Sequence, residues 1–162
     1  MIGLTQHRIA PPQPPLSSAG QARITAAINT STDIVIARQR GRQLSLECGC
    51  SPTDATLVAT IISELARNAL LYARGGEILL ENAATIGGKG IRIVCCDAGP
   101  GIADVQRALA GGYSTSGGLG MGLSGVRRLV DEFNLKSDKD GTVVTVIKWL
   151  YRNNPYAGGI RS

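Results

Sequence analysis

Aromatic residues make up only 4% of this 162-residue chain: one Trp, one Phe and four Tyr. A surface that binds nucleic acid combines stacking rings with a clustered basic face. Here the formal charge is +5, but the 17 basic residues are scattered along the chain. Nucleic acid is therefore not expected as a partner, and mild attraction to an acidic partner or to polyphosphate is the stronger inference. There is one histidine, His7, far from the segments richest in motifs, which argues against histidine-based chemistry. The four cysteines stand as Cys48-Gly49-Cys50 and Cys95-Cys96. Neither spacing suits a zinc site, and they read as reduced thiols serving as small hydrophobes. No apolar run approaches the ~18 residues that span a bilayer, and none follows Met1 in the manner of a signal peptide. A reducing cytoplasm is the expected setting, without a membrane.

What remains is a chain with 43% apolar residues, enough for the core of one domain. Pro11-Pro12-Gln13-Pro14-Pro15 marks residues 1–21 as an extended or disordered tail. A folded domain is expected over 22–151 and a second tail over 152–162. Alternation in Arg23 to Thr30 suggests a strand with Ile24, Ala26 and Ile28 on one face. Ser31-Thr32-Asp33 offers helix caps, and Ile34 to Glu47 reads as a helix, with a strand as rival. Ser51-Pro52-Thr53-Asp54 is a strong helix start, and apolar spacing carries that helix to Ala73, closed by Arg74-Gly75-Gly76. Glu77 to Asn82 and Ile91 to Cys96 read as strands joined by a turn at Gly87 to Gly90. Helices are expected over Ala103 to Ala110 and Leu123 to Phe133, and strands over Asn134 to Ser137 and Thr142 to Leu150, joined by an Asp-Gly turn. The class is α+β: a two-layer sandwich of one mixed, mostly antiparallel sheet with helices on one face.

Three constellations and a weaker fourth element carry chemistry. Glu64 and Asn68 lie four residues apart and share a helix face. A carboxylate there can take a proton from an attacking hydroxyl or water. The neighbouring carboxamide oxygen suits Mg²⁺, a hard cation that keeps water and phosphate ligands. Taken alone, the pair also fits a solvated helix face. Asp97-Ala98-Gly99-Pro100-Gly101 ends an apolar strand. Its carboxylate can accept a hydrogen bond from the exocyclic amine of adenine, worth about 1.5–3 kcal/mol, though an Asp-Gly turn alone would look the same. Gly111 to Gly125 packs seven glycines and four serine or threonine residues at the start of a helix-like segment. Such a loop can cradle phosphate at a helix N-terminus, or be a plain surface loop. Gly141-Thr142 places a hydroxyl where it could reach a base through water.

The order Glu64…Asn68, Asp97-x-Gly-x-Gly, Gly-x-Gly-x-Gly and Gly-Thr resembles the GHKL ATPases, which share the Bergerat ATP-binding fold. The runs Ser63-Glu64-Leu65-Ala66-Arg67-Asn68, Asp97 to Ile102, Ser114 to Leu123 and Ile147-Lys148-Trp149-Leu150 resemble the RsbT-type switch serine/threonine kinases, relatives of the anti-sigma factor kinases. The resemblance implies that the chain binds ATP/ADP together with Mg²⁺. Glu64 would be the general base and Asn68 the Mg²⁺ ligand. Asp97 would read adenine with Thr142 nearby, in a pocket shaped by Gly99 and Gly101. Ser116 would lie in an ATP lid, and Gly118, Gly120 and Gly122 would cradle phosphates. It implies a STAS-domain antagonist as the phosphorylated partner and a PP2C-type phosphatase as the one then activated. A nucleotide-gated binding module that sequesters a partner such as a sigma factor is the alternative. Arg67 stays open between γ-phosphate, partner and a surface ion pair.

Overall fold

The computed structural model describes residues 22–85, 88–111 and 122–152. Its elements run β1 (Arg23–Ile28), α1 (Ser31–Glu47), α2 (Pro52–Ala73), β2 (Gly76–Thr85), β3 (Gly88–Asp97), α3 (Val105–Ala110), α4 (Gly122–Leu129), β4 (Glu132–Asp138) and β5 (Gly141–Arg152). The five strands form one sheet in the order β1-β2-β3-β5-β4. Every pairing is antiparallel, so the sheet reaches the limit of the mostly antiparallel arrangement expected, without a parallel pair.

Side chains alternate across a strand, and the sheet uses this to make two unlike faces. Ile28, Ile78, Leu80, Ile91, Ile93, Cys95, Val144 and Val146 join Ala37 and Leu44 of α1, Val58, Ile61, Ile62 and Leu65 of α2 and Val126 of α4 in one core. Each fully buried Ile or Leu contributes about 1.5–3 kcal/mol, so α2, which supplies three of them, is the main anchor of the helical layer. Among the described residues the opposite face carries a small cluster, Leu79, Val94 and Val143 with Cys96 packed against it.

Helix boundaries follow capping chemistry. The rival strand over Ile34 to Glu47 is not formed. The cap of α1 is Thr30, one residue ahead of the expected candidates: its hydroxyl accepts from Asp33 N, while Asp33 Oδ2 accepts from Thr30 N at 2.8 Å. This reciprocal capping box satisfies two backbone donors at once. In α2, Ser51 Oγ accepts from Asp54 N at 3.1 Å and Pro52 opens the first turn. The closing left-handed residue is Arg74, at φ 58°, with Gly75 N donating to Ala69 O.

Two expectations are corrected. The helix expected to run to Phe133 stops at Leu129, because sheet pairing takes over: Asp131 N donates to Ile147 O, and Phe133 sits opposite Val146. Gly88 to Gly90 do not form a turn; they are the start of β3, with a register shift between Lys89 and Gly90. Among the described residues no helix is long and apolar enough to cross a membrane.

Candidate nucleotide and phosphotransfer site

Glu64 and Asn68 occupy the middle of α2, as their spacing predicts. Glu64 is only 8% exposed, a costly place for a carboxylate without a partner. Its Oε1 accepts from Arg67 Nη1 at 2.5 Å. Arg67 is thereby resolved in this structure as an ion-pair partner one helical turn from Glu64. Asn68 is half-buried, and its carboxamide makes no side-chain hydrogen bond among the described residues. An oxygen ligand is thus left open beside an ionisable group, the donor set that suits Mg²⁺ held jointly with phosphate. Among the described residues no group of three or more His, Cys, Asp or Glu could hold a metal by itself.

Asp97 ends the central strand β3. Its Oδ1 accepts from Gly99 N at 3.0 Å and from Thr142 N at 3.2 Å. Burial pushes its carboxyl above the ordinary carboxylate value, opposed by the same two N–H donors. Two backbone bonds on Oδ1 fix the rotamer, and Oδ2 remains for an incoming donor such as an exocyclic amine. The surroundings leave no room for side chains. A Cβ on Gly99 would stand 2.5 Å from Ala73 Cβ and 3.2 Å from Asp97 Oδ1. One on Gly76 would stand 2.5 Å from Cys96 O and 3.3 Å from Asp97 Cβ. Gly101 adopts φ 79° and would drive a Cβ into the Asp138 carbonyl. Glycine is required at these three positions by the close approach of the chain's own backbone and of Ala69 and Ala73, which holds the loop after Asp97 in place.

Thr142 stands at the start of β5, and its hydroxyl meets Ser137 Oγ at 2.8 Å. Ser137 Oγ also accepts from Ile102 N at 2.8 Å. One hydroxyl therefore ties the loop after Asp97 to the β4–β5 hairpin. Sequence reasoning missed Ser137 and Gly76: Ser137 is separated from Ile102 by 35 residues, and Gly76 looked like part of a helix stop.

The structure brings Asp97, Gly99, Gly101 and Thr142 together, with Ala69 and Ala73 of α2 alongside. Asn68 directly precedes Ala69 on that helix. Gly122 opens α4 at φ 49°, and Gly111, ending α3 at φ 90°, lies against Ser124 in the first turn of α4. Ser116, Gly118 and Gly120 lie outside the described residues. All four cysteines are free thiols. Burial raises each above its ordinary value, Cys50 and Cys96 to about 11, which leaves little nucleophilic thiolate at neutral pH.

The candidate site is thus spread over a helix, a strand end and a hairpin. Residues 53–152 match the model of the histidine kinase-, DNA gyrase B-, and HSP90-like ATPases, and the chain belongs to that family. More narrowly, it is 51% identical over 124 residues to the serine/threonine-protein kinase RsbT of Bacillus subtilis (strain 168), covering 76% of this chain and 93% of the relative. A likeness of that depth and length marks an RsbT-like protein kinase. A solved structure of the RsbU and RsbW domains of a Mycobacterium tuberculosis protein shares the fold, with a TM-score of 0.56 at 20% identity, over 83% of this chain and 33% of that one. The chain thus spans a third of that longer protein.

Proposed function

We propose that this chain is the kinase of a partner-switching module. It transfers the γ-phosphoryl group of Mg-ATP to a serine or threonine of a STAS-domain antagonist, and then binds and activates a PP2C-type phosphatase. The observation that carries this reading is the buried Glu64 carboxylate sharing a face of α2 with the open Asn68 carboxamide. Glu64 is the general base: it orients the acceptor hydroxyl and takes its proton as oxygen bonds to phosphorus and the bond to ADP breaks. Asp97, fixed by Gly99 and Thr142, holds adenine, and Gly99, Gly101 and Thr142 complete the base pocket. Asn68 is the protein ligand for Mg²⁺, whose chemistry when bound is to neutralise the phosphates. Ser116, Gly118, Gly120 and Gly122 cradle the phosphates in this reading. We take 22–151 as the kinase domain, flanked by tails and working in the cytoplasm, where its nucleotide is abundant.

Radiolabelled Mg-ATP, incubated with this chain and STAS-domain proteins from the same genome, tests the reading. Label on a serine or threonine of one of them, lost in Glu64→Gln while ATP still binds, is the expected result. No transfer, combined with tight nucleotide-dependent binding of a sigma factor, would replace the kinase with a sequestering module.

A further inference from the structure

The described residues contain two buried carboxylates, and each is claimed by an arginine. Glu81 on β2 is 5% exposed and pairs with Arg92 of β3 at 2.5 Å. These residues face one another directly across the β2–β3 ladder, on strands that already make continuous backbone bonds. Glu64 pairs with Arg67 at the same distance but in different surroundings. Both lie on one helix, one turn apart, and the Arg67 side chain is 38% exposed while that of Glu64 is 10% exposed. The ion pair therefore bridges the interior of the site and its solvent rim.

We propose that Arg67 is a positioning residue for phosphotransfer, acting through Glu64; this rests on the kinase reading above. A glutamate has three rotatable side-chain bonds, and Arg67 is the only hydrogen-bond partner of the Glu64 carboxylate among the described residues. Without Arg67 the carboxylate would lose its one fixed direction and its compensating charge together. A base must lie within hydrogen-bond reach of the proton it takes. Arginine suits the task because its planar donor fork stays charged and can hold one carboxylate oxygen at a fixed angle. Only Oε1 is engaged, so Oε2 is left to meet the acceptor hydroxyl. The role predicts an effect on turnover rather than on nucleotide affinity, since Arg67 acts on the base and not on the adenine pocket.

The test uses the full chain with Arg67→Ala, Arg67→Lys, Glu64→Gln and the double change Glu64→Gln/Arg67→Ala, with Arg92→Lys as the remote buried-pair control. Phosphotransfer from radiolabelled Mg-ATP should fall roughly tenfold or more in Arg67→Ala, within the ~10²–10⁴ that a positioned base contributes. Arg67→Lys should recover part of that loss. ATP affinity, read by titration, should stay within about threefold. In the double variant the Arg67 change should cost no further activity, because its target is already neutral. Arg92→Lys, measured alongside, should move thermal stability without moving transfer. Wild-type transfer rates in Arg67→Ala, or an equal and additive loss in the Glu64→Gln background, would overturn the role and leave an ordinary ion pair. If the wild-type chain labels no acceptor, the kinase reading has failed instead. The same variants are then ranked by Mg-ATP hydrolysis, where an unaffected Arg67→Ala would still overturn the proposal.

Discussion

Oδ1 of Asp97 accepts the backbone N–H of Thr142 at 3.2 Å across 45 residues of sequence. The bond locks the end of β3 to the start of β5, which already face each other in the sheet. It occupies one carboxylate oxygen and leaves the other for a ligand.

Asp97→Asn is expected to weaken ATP binding about 10- to 100-fold, the loss of one charge-assisted hydrogen bond. Stability should move the other way. Because burial raises the Asp97 carboxyl in the folded state, the folded chain holds that proton more tightly than the unfolded chain. Stability therefore falls as pH rises from the ordinary carboxylate value through the raised one, and the cost is fully present at neutral pH. The Asn variant should unfold at the same or a higher temperature than wild type at pH 7, with the difference closing at pH 3. Melting curves at both values, with and without ATP, check the pair of effects.

Gly101→Ala should destabilise the chain by roughly 2–4 kcal/mol, since a strained φ adds to a clash with the Asp138 carbonyl. Gly122 also has a positive φ but nothing within 4 Å of a Cβ. Gly122→Ala should therefore lose only about 1 kcal/mol, from the backbone alone. Urea titration of the two variants gives the comparison, and equal losses would contradict it.

Ser137→Ala removes the acceptor of Ile102 N and a hydroxyl partner of Thr142. A loss of about 1–3 kcal/mol is expected from the unmade bonds, together with weaker ATP binding as the loop after Asp97 loosens. Thr142→Val, which keeps the backbone donor to Asp97, should lose less affinity than Asp97→Asn.

The thiols should resist alkylation at pH 7.5. Half-buried Cys48 and Cys96 are expected to react slowly with iodoacetamide, ahead of buried Cys50 and Cys95, and all four should react at once in urea. Mass spectrometry over time resolves the order. Fast labelling of Cys95 in the native chain would mean that the core opens more readily than its packing allows.

Much of this site was legible because its signals are local. Glu64 and Asn68 sit at helical spacing between a clear Ser-Pro start and a glycine stop, and Asp97 terminates a run of apolar residues. The boundaries that were missed depend on distant partners. The apolar spacing of Val126, Leu129, Val130 and Phe133 continues as if helical, but pairing with β5 claims Phe133 for the sheet. Gly88 to Gly90 carry a turn composition. Gly90 is instead a strand glycine, where a Cβ would stand 2.9 Å from the Trp149 ring and 2.6 Å from Lys148 O. Nothing within a few residues of Gly90 or Ser137 announces those neighbours.

The 45-residue span between Asp97 and Thr142 also sets an order of assembly. Bringing β3 and β5 together closes a long loop, an entropic cost met before the contacts it allows. The candidate pocket around Asp97 is therefore complete only when β5, the last of the described strands, has paired with β3, while α2 can form from local interactions. On the proposed function, nucleotide that binds only the completed pocket would draw the folding equilibrium toward it, and so would report whether the β4–β5 hairpin has docked.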